Sequence, residues 1–388
     1  MNFDPERIEA ELAEIQKKSS PTEARTVILN LLVVSEEDSR SDAERALGTV
    51  LGKRAARVIH IVETEAAESD ISLSARCYLD YERKSVCFQE VLIESGSDGV
   101  GDAPGSWTPL LIRDIPVYVL WLARFSGRRA LLDHVQEQAD KLIIDSEFAL
   151  SAGDSAEEVH GAVTGLMRPE GFSVSDFTWV RMSQFRRATA HVFDDADLAR
   201  ELFEIEALEL FGAPPMFGAL FLAWFANRLG WKPASVGNGS VGDGGDGAGT
   251  AHGDGGGTSA QARGDGGREG VGPGHGDHLG PTPRLSRQFT DQQGRSVRAS
   301  HRNPNTLDEG LSLTMSFFDR NPLELVARSD GCFEVAGDQQ GDGEEADAGE
   351  AAALEIVSIP SDGEMLLGEI DAAGNEEIYI SAFDLITK

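Results

Sequence analysis

The sequence predicts an α/β fold: an N-terminal, mainly parallel sheet covered by helices, followed by an α+β region with a β-rich C-terminal part. Three observations carry that expectation. Apolar runs of strand length alternate with amphipathic helical stretches through the first 150 residues, as in a sheet buried on both faces. Residues 110–150 (LLIRDIPVYVLWLARFSGRRALLDHVQEQADKLIIDSEFAL) read as strand, helix, strand. Beyond residue 285 several short segments alternate apolar and polar residues, as antiparallel strands with one wet face do.

In chain order, residues 4–18 form an amphipathic helix with Ile8, Leu12 and Ile15 on one face, ended by Pro21. RTVILNLLVVS is apolar enough for a buried strand. A helix starts near Ser41-Asp42 and carries Ala46, Leu47, Val50 and Leu51, and RVIHIVE is the next strand. Residues 71–81 and 85–95 form a hairpin turning at Glu82-Arg83-Lys84, which sets Cys77 and Cys87 across from each other. Both thiols are expected reduced and buried, with a redox pair as the other reading. Residues 96–109 are an exposed Gly/Pro loop. Within the strand–helix–strand unit, Leu131, Leu132, Val135 and Ala139 mark the helix, and LIIDS is the second strand.

Residues 155–167 form a helix capped by Ser155, and 176–194 a single helix capped by Asp176. Residues 198–211 fit helix or strand. Pro214-Pro215 breaks the chain before an apolar helix over 216–230. Residues 233–285, rich in Gly and Asp, hold too few large apolar side chains to offset the entropy of ordering them, and read as a disordered insertion or linker. The rest, including MLLGEID and EEIYISAFDLI, reads as β. The expected division is an α/β domain over 1–150, then a second domain with a helical part (151–232) and a β-rich part (286–388).

The 388 residues carry a formal charge of −32, which argues against nucleic acid and anionic membrane as partners. No signal pattern opens the chain, no apolar run is long enough to span a bilayer, and three cysteines make no disulfide framework, so a cytoplasmic protein is expected. Gly99-Val100-Gly101 lacks the third glycine and following helix of a dinucleotide loop. His252, His275 and His278 lie in the Gly/Asp stretch and could trap metal only adventitiously. No nucleophile–base–oxyanion set can be assembled, so no catalytic residue, cofactor or metal is assigned. Asp145-Ser146 follows a strand, where α/β sheets bind ligands, and Asp114 lies in the same unit. Two arginine groups stand out: Arg181, Arg186 and Arg187 beside Trp179, and Arg295, Arg298 and Arg302. Arginine forks suit phosphates and carboxylates, though internal salt bridging explains them equally well.

Several motifs together resemble one family. Leu110-Leu111, Asp114-Ile115-Pro116 and Trp121, then Asp140 to Ser146, resemble its "pLLvpDlPv-lWW" and "aDrliiDS". Arg57-Val58-Ile59 resembles "sRvi", Cys87 and Glu90 resemble "C-x-x-E", and Asp176 to Arg186 resembles "DlaW-RL-x-x-WR". Ala223-Trp224 to Gly230-Trp231 resembles "lagWLasrLGW". The matches are collinear over about residues 25–232, with Leu122 and Phe185 replacing family tryptophans. The family is the glucose-6-phosphate dehydrogenase assembly protein family, OpcA. The resemblance implies a non-catalytic partner that assembles or allosterically activates glucose-6-phosphate dehydrogenase. Asp114, Trp121, Asp145, Ser146, Trp179, Arg181 and Arg186 are the candidate partner or phosphate contacts. The other reading is a sugar-phosphate sensor or enzyme using Asp114, Asp145, Ser146 and the arginines.

Overall fold

A computed structural model describes residues 4–19, 27–51, 53–79, 85–167, 173–234, 285–302, 311–318, 321–327, 332–337, 354–355, 360–372 and 377–386. In order the elements are α1 (Pro5–Ser19), β1 (Leu29–Glu36), α2 (Arg40–Val50), β2 (Ala56–Glu63), β3 (Asp70–Leu79), β4 (Ser85–Ser95), α3 (Pro104–Trp107), β5 (Val117–Leu122), α4 (Arg129–Gln138) and β6 (Lys141–Ile144). Then come α5 (Ser146–Ser151), α6 (Ala156–Leu166), β7 (Ser173–Asp176), α7 (Phe177–Arg181), α8 (Ser183–Val192), α9 (Ala196–Glu201), β8 (Ile205–Phe211), α10 (Pro215–Arg228) and β9 (Lys232–Pro233). The C-terminal part holds β10 (Leu285–Thr290), β11 (Ser296–Arg302), β12 (Leu311–Phe317), β13 (Leu323–Ala327), β14 (Cys332–Gly337), β15 (Leu354–Glu355), α11 (Asp362–Asp371) and α12 (Glu377–Leu385).

The first sheet runs β3-β4-β2-β1-β5-β6-β7. All its pairings are parallel except the β3–β4 hairpin at the edge. Its six parallel strands therefore follow the order of a doubly wound dinucleotide-binding fold, with the reversal of winding between β1 and β5. Period-two alternation divides β1 cleanly. Leu29, Leu31 and Val33 join one core with Val58, Leu120 and Ile143, covered by α2 and α11. Leu32 and Val34 join the larger core with Ile59, Ile61, Val119, Trp121 and Leu142.

The second sheet runs β15-β14-β13-β12-β8-β11-β10-β9 and is antiparallel except for β8–β11. α10 packs on β8 and β11, and the larger core continues from the first sheet through α10 into this one. α10 is apolar nearly all round because it is covered nearly all round: Leu220, Phe221, Leu222, Phe225 and Ala226 are all buried.

Four expectations are corrected. The stretch 96–109 is not a simple exposed loop: it holds α3 and a 3₁₀ turn, and Trp107 is fully buried. The helix expected over 176–194 breaks at Met182 into α7 and α8, and a strand, β7, precedes it. MLLGEID and EEIYISAFDLI are helices, α11 and α12, not strands. Cys77 is not a reduced thiol: it is disulfide-bonded, and the β3–β4 register sets it opposite Cys87. The first sheet runs past residue 150, to β7 at Asp176. The hairpin turn, residues 235–284 with their three histidines, and 338–350 lie outside the described residues.

Candidate functional site

β6 and β7 end side by side, and each hands the chain directly to a helix. Asp145 is the N-cap of α5, its Oδ1 accepting from Phe148 N at 3.2 Å. Asp176 is the N-cap of α7, its Oδ1 accepting from Thr178 N at 2.9 Å and Ser146 N at 3.1 Å. Thr178 Oγ1 accepts from Glu147 N at 3.0 Å and also bonds Ser146 Oγ at 3.0 Å. Glu147 Oε2 accepts from Met216 N (2.8 Å) and Phe217 N (3.1 Å), capping α10. Three helix starts thus converge, each with its positive end met by a carboxylate of the chain itself.

The C-terminal helices close this knot. Tyr379 Oη of α12 donates to Asp176 Oδ2 at 3.0 Å. Arg181 Nη2 reaches Asp145 Oδ2 at 2.6 Å and Asp362 Oδ1, at the start of α11, at 2.9 Å. At the other end of α11, buried Lys141 donates to Glu369 O and Ala372 O, a cation at a helix C-terminus. Burial, and then the neighbouring Asp145 charge, push Asp176 up to about 6 against the pull of its donors. Burial pushes Glu147 up to about 7, opposed by its two backbone donors. Burial and the Asp176 carboxylate raise Tyr379 well above the ordinary phenol value.

The expected site residues are only partly brought together. Asp145, Ser146 and Arg181 do meet, but they satisfy one another and the helix starts. Asp114 precedes β5 while Asp145 follows β6, so in these parallel strands they mark opposite ends of the sheet. Asp114 is exposed, in a turn at φ 64°, the one non-glycine residue at positive φ among those described. Trp121 and Trp179 are core side chains, 1% and 2% exposed. Trp121 Nε1 donates to Ala123 O, and Arg186 lies over the Trp179 ring at 3.5 Å. The second arginine group is dispersed: Arg295 binds Asp291 and Glu204, and Arg302 stands 3.7 Å from Glu209.

Sequence reading missed the crest of β1, where a doubly wound fold holds dinucleotides. The turn there reads Ser35-Glu36-Glu37-Asp38-Ser39, with acids in place of the glycines that would cradle a pyrophosphate. Glu36 Oε1 accepts from Arg124 N (2.9 Å) and Nε (3.0 Å), and Ser39 Oγ donates to Leu122 O at 2.6 Å. Buried Arg128 spans from Ser35 O to the Asp102 carboxylate. His60 bonds Ser35 Oγ at 2.9 Å, and burial, with the Arg40 charge, lowers it to about 4. Beside this crest lies a cleft of about 460 Å³ lined by Glu37, Asp38, Glu65, Glu68, Asp70 and Glu94 around Arg40 and Thr64. Nothing in the spacing of these residues announces the cluster, because its members come from three separate chain segments: 37–40, 64–70 and Glu94.

The strand order and this site define a doubly wound α/β protein with an appended mixed sheet, in which carboxylates hold the turn that usually meets phosphate. Residues 48–164 match the glucose-6-phosphate dehydrogenase subunit N-terminal domain, and 172–268 the corresponding C-terminal domain. The chain belongs to this family, the OpcA glucose-6-phosphate dehydrogenase assembly proteins. Among curated relatives, the "Putative OxPP cycle protein OpcA" of Synechocystis sp. is 23% identical over 48% of this chain and 40% of its own length. The protein of the same name from Nostoc punctiforme is 21% identical over 58% of this chain and 52% of its own. The matched stretch thus spans about half or less of these longer relatives. Levoglucosan dehydrogenase in its apo form superposes with a TM-score of 0.45 at 11% identity, over 92% of this chain and 94% of that one. A dehydrogenase from Chromobacterium violaceum gives 0.43 at 8%, over 93% and 94%. Likeness at that level carries no argument about chemistry.

Proposed function

We propose that this chain is a non-catalytic assembly factor or allosteric activator of glucose-6-phosphate dehydrogenase, acting by protein–protein contact in the oxidative pentose phosphate pathway of the cytoplasm. The observation that carries this reading is the match of both family domains, N- and C-terminal, in sequence order. The carboxylate-filled turn after β1 supports the non-catalytic part, since Glu36, Glu37 and Asp38 repel a pyrophosphate. The internal pairing of Asp145, Asp176 and Arg181 weakens the sugar-phosphate reading. Activation then follows from binding one conformation or oligomer of the dehydrogenase more tightly than another. Of the expected contact residues, Asp114 is the exposed one, and its turn is our choice for a partner contact.

Titration calorimetry of the chain against the dehydrogenase, with the enzyme's kinetics followed in parallel, tests this. Binding at micromolar concentration with a changed kcat or KM is expected, and no heat with glucose 6-phosphate alone. Absence of both binding and kinetic change would overturn the proposal. Turnover of sugar phosphate and NADP by the chain alone would overturn its non-catalytic part.

A further inference from the structure

A cavity of about 90 Å³ lies between α10, α12 and the β10–β11 pair, and reaches the start of α10 at Pro215 and Met216. Roughly 10–15 Å³ by this measure holds one water, so the space takes an organic molecule of several heavy atoms. Its floor is apolar and buried: Met216, Leu222, Phe289 and Ile386. Its rim includes half-buried Leu150 and exposed Ala156, so it communicates with solvent.

Two polar groups break the apolar wall. β10 and β11 pair with Arg287 opposite Ala299 and Leu285 opposite His301, which puts Arg287 and His301 on one face as diagonal neighbours. His301 is 1% exposed; its Nε2 donates to Ala213 O at 2.7 Å, and its Nδ1 has no partner. Gly218 of α10 lets the helix press against that imidazole, because any Cβ there would collide with the ring. Burial lowers the histidine's pKa, so at neutral pH Nδ1 is a bare acceptor. Arg287 spends one bond on Leu385 O at 2.7 Å. Among the described residues no carboxylate stands within ion-pair distance of it, in a chain of net charge −32.

We infer that this cavity binds a small amphipathic hydroxy acid: an apolar body of a few carbons on the floor, a carboxylate on Arg287, and a hydroxyl donating to His301 Nδ1. An anion supplies the partner that Arg287 lacks, and a hydroxyl the donor that Nδ1 lacks. A neutral hydrocarbon would leave both unmet, and a bare phosphate would leave the apolar floor uncovered.

The full chain is titrated by calorimetry and by ligand-observed NMR with 2-hydroxy-4-methylpentanoate, using 4-methylpentanoate, 4-methyl-2-pentanol and glycolate as comparisons. Saturable binding is expected for the hydroxy acid, weaker by roughly tenfold for each compound that lacks one of the three features. Arg287→Met should erase the advantage of the acid over the alcohol, and Ala219→Leu, which fills the cavity, should block all four. No saturable binding by the unsubstituted protein up to about 10 mM would overturn the inference. So would equal affinities across the four compounds, a result that needs no variant to fold. Because the dehydrogenase is absent from this test, its outcome is independent of the partner assignment.

Discussion

Glu147 shows what convergence of helix starts costs a single side chain. It caps α10 through two backbone bonds, yet burial and the Asp145 and Asp176 charges hold its proton on up to about pH 7. A carboxyl whose folded pKa lies above its unfolded one of about 4.5 favours the folded state most at low pH. That contribution is lost as pH rises from about 4.5 through 7. Glu147→Gln keeps an acceptor for Met216 and Phe217 N–H but does not titrate. Urea unfolding at pH 5 and pH 8 should therefore show the wild type losing up to about 2 kcal/mol relative to the variant, after allowing for partial solvent contact. His60 acts in the opposite sense. Its folded value of about 4 lies below the ordinary 6.5, so its contribution is present above 6.5 and is lost as pH falls through 4. At this scale the sequence was half legible. Asp176 was identified as a cap, and Asp145-Ser146 as a strand end, from residue type and position alone. Their mutual bonding was not, because it depends on β6 and β7 ending in register, and β7 went unseen.

α11 and α12 show why some elements were misread. Ile and Tyr favour strands, and that preference outweighed a signal present in the letters. Ser361 and Glu364 form a capping box three residues apart, and Tyr379, Ala382, Phe383 and Ile386 recur at helical spacing and are buried. α11 also lies tight against α2: a Cβ on Gly363 would collide with Thr49. Gly363→Ala, which stabilises an ordinary helix interior, should here destabilise by about 1–3 kcal/mol in chemical denaturation. Ser361→Ala should cost about 1 kcal/mol through loss of the cap, and combining the two will be less than additive if α11 undocks first. By contrast β2 and β6 were legible to within two residues, since a strand buried on both faces is apolar throughout and its run stands out, whereas β7, Ser-Val-Ser-Asp, offers no such run.

Across the whole molecule, the two sheets are joined by α10 and then bound together by the last two helices, α11 on the first sheet's α2 and α12 on α10 and α6. The Gly/Asp-rich stretch leaves the second sheet at Ala234, whose N–H bonds Gln288 O at 3.0 Å, and the chain resumes at β10. Its ends are thus held close by the β9–β10 pair, and closing that loop costs little more at fifty residues than at ten. Replacing residues 235–284 by a short Gly/Ser linker should leave the thermal transition within a few degrees of the wild type by calorimetry. A lost transition would show that the stretch contributes to the folded core.

The Tyr379–Asp176 bond joins residues 203 apart in sequence. At roughly 5–20 residues per second of synthesis, Asp176 waits about 10–40 s for its last partner to be made. Until then the cap of α7 lacks its tyrosine donor, and α2 lacks the α11 that packs on it in the folded chain. The buried tyrosine thus ties the chain's last helix back to a cap made some two hundred residues earlier, and both groups end 1% exposed.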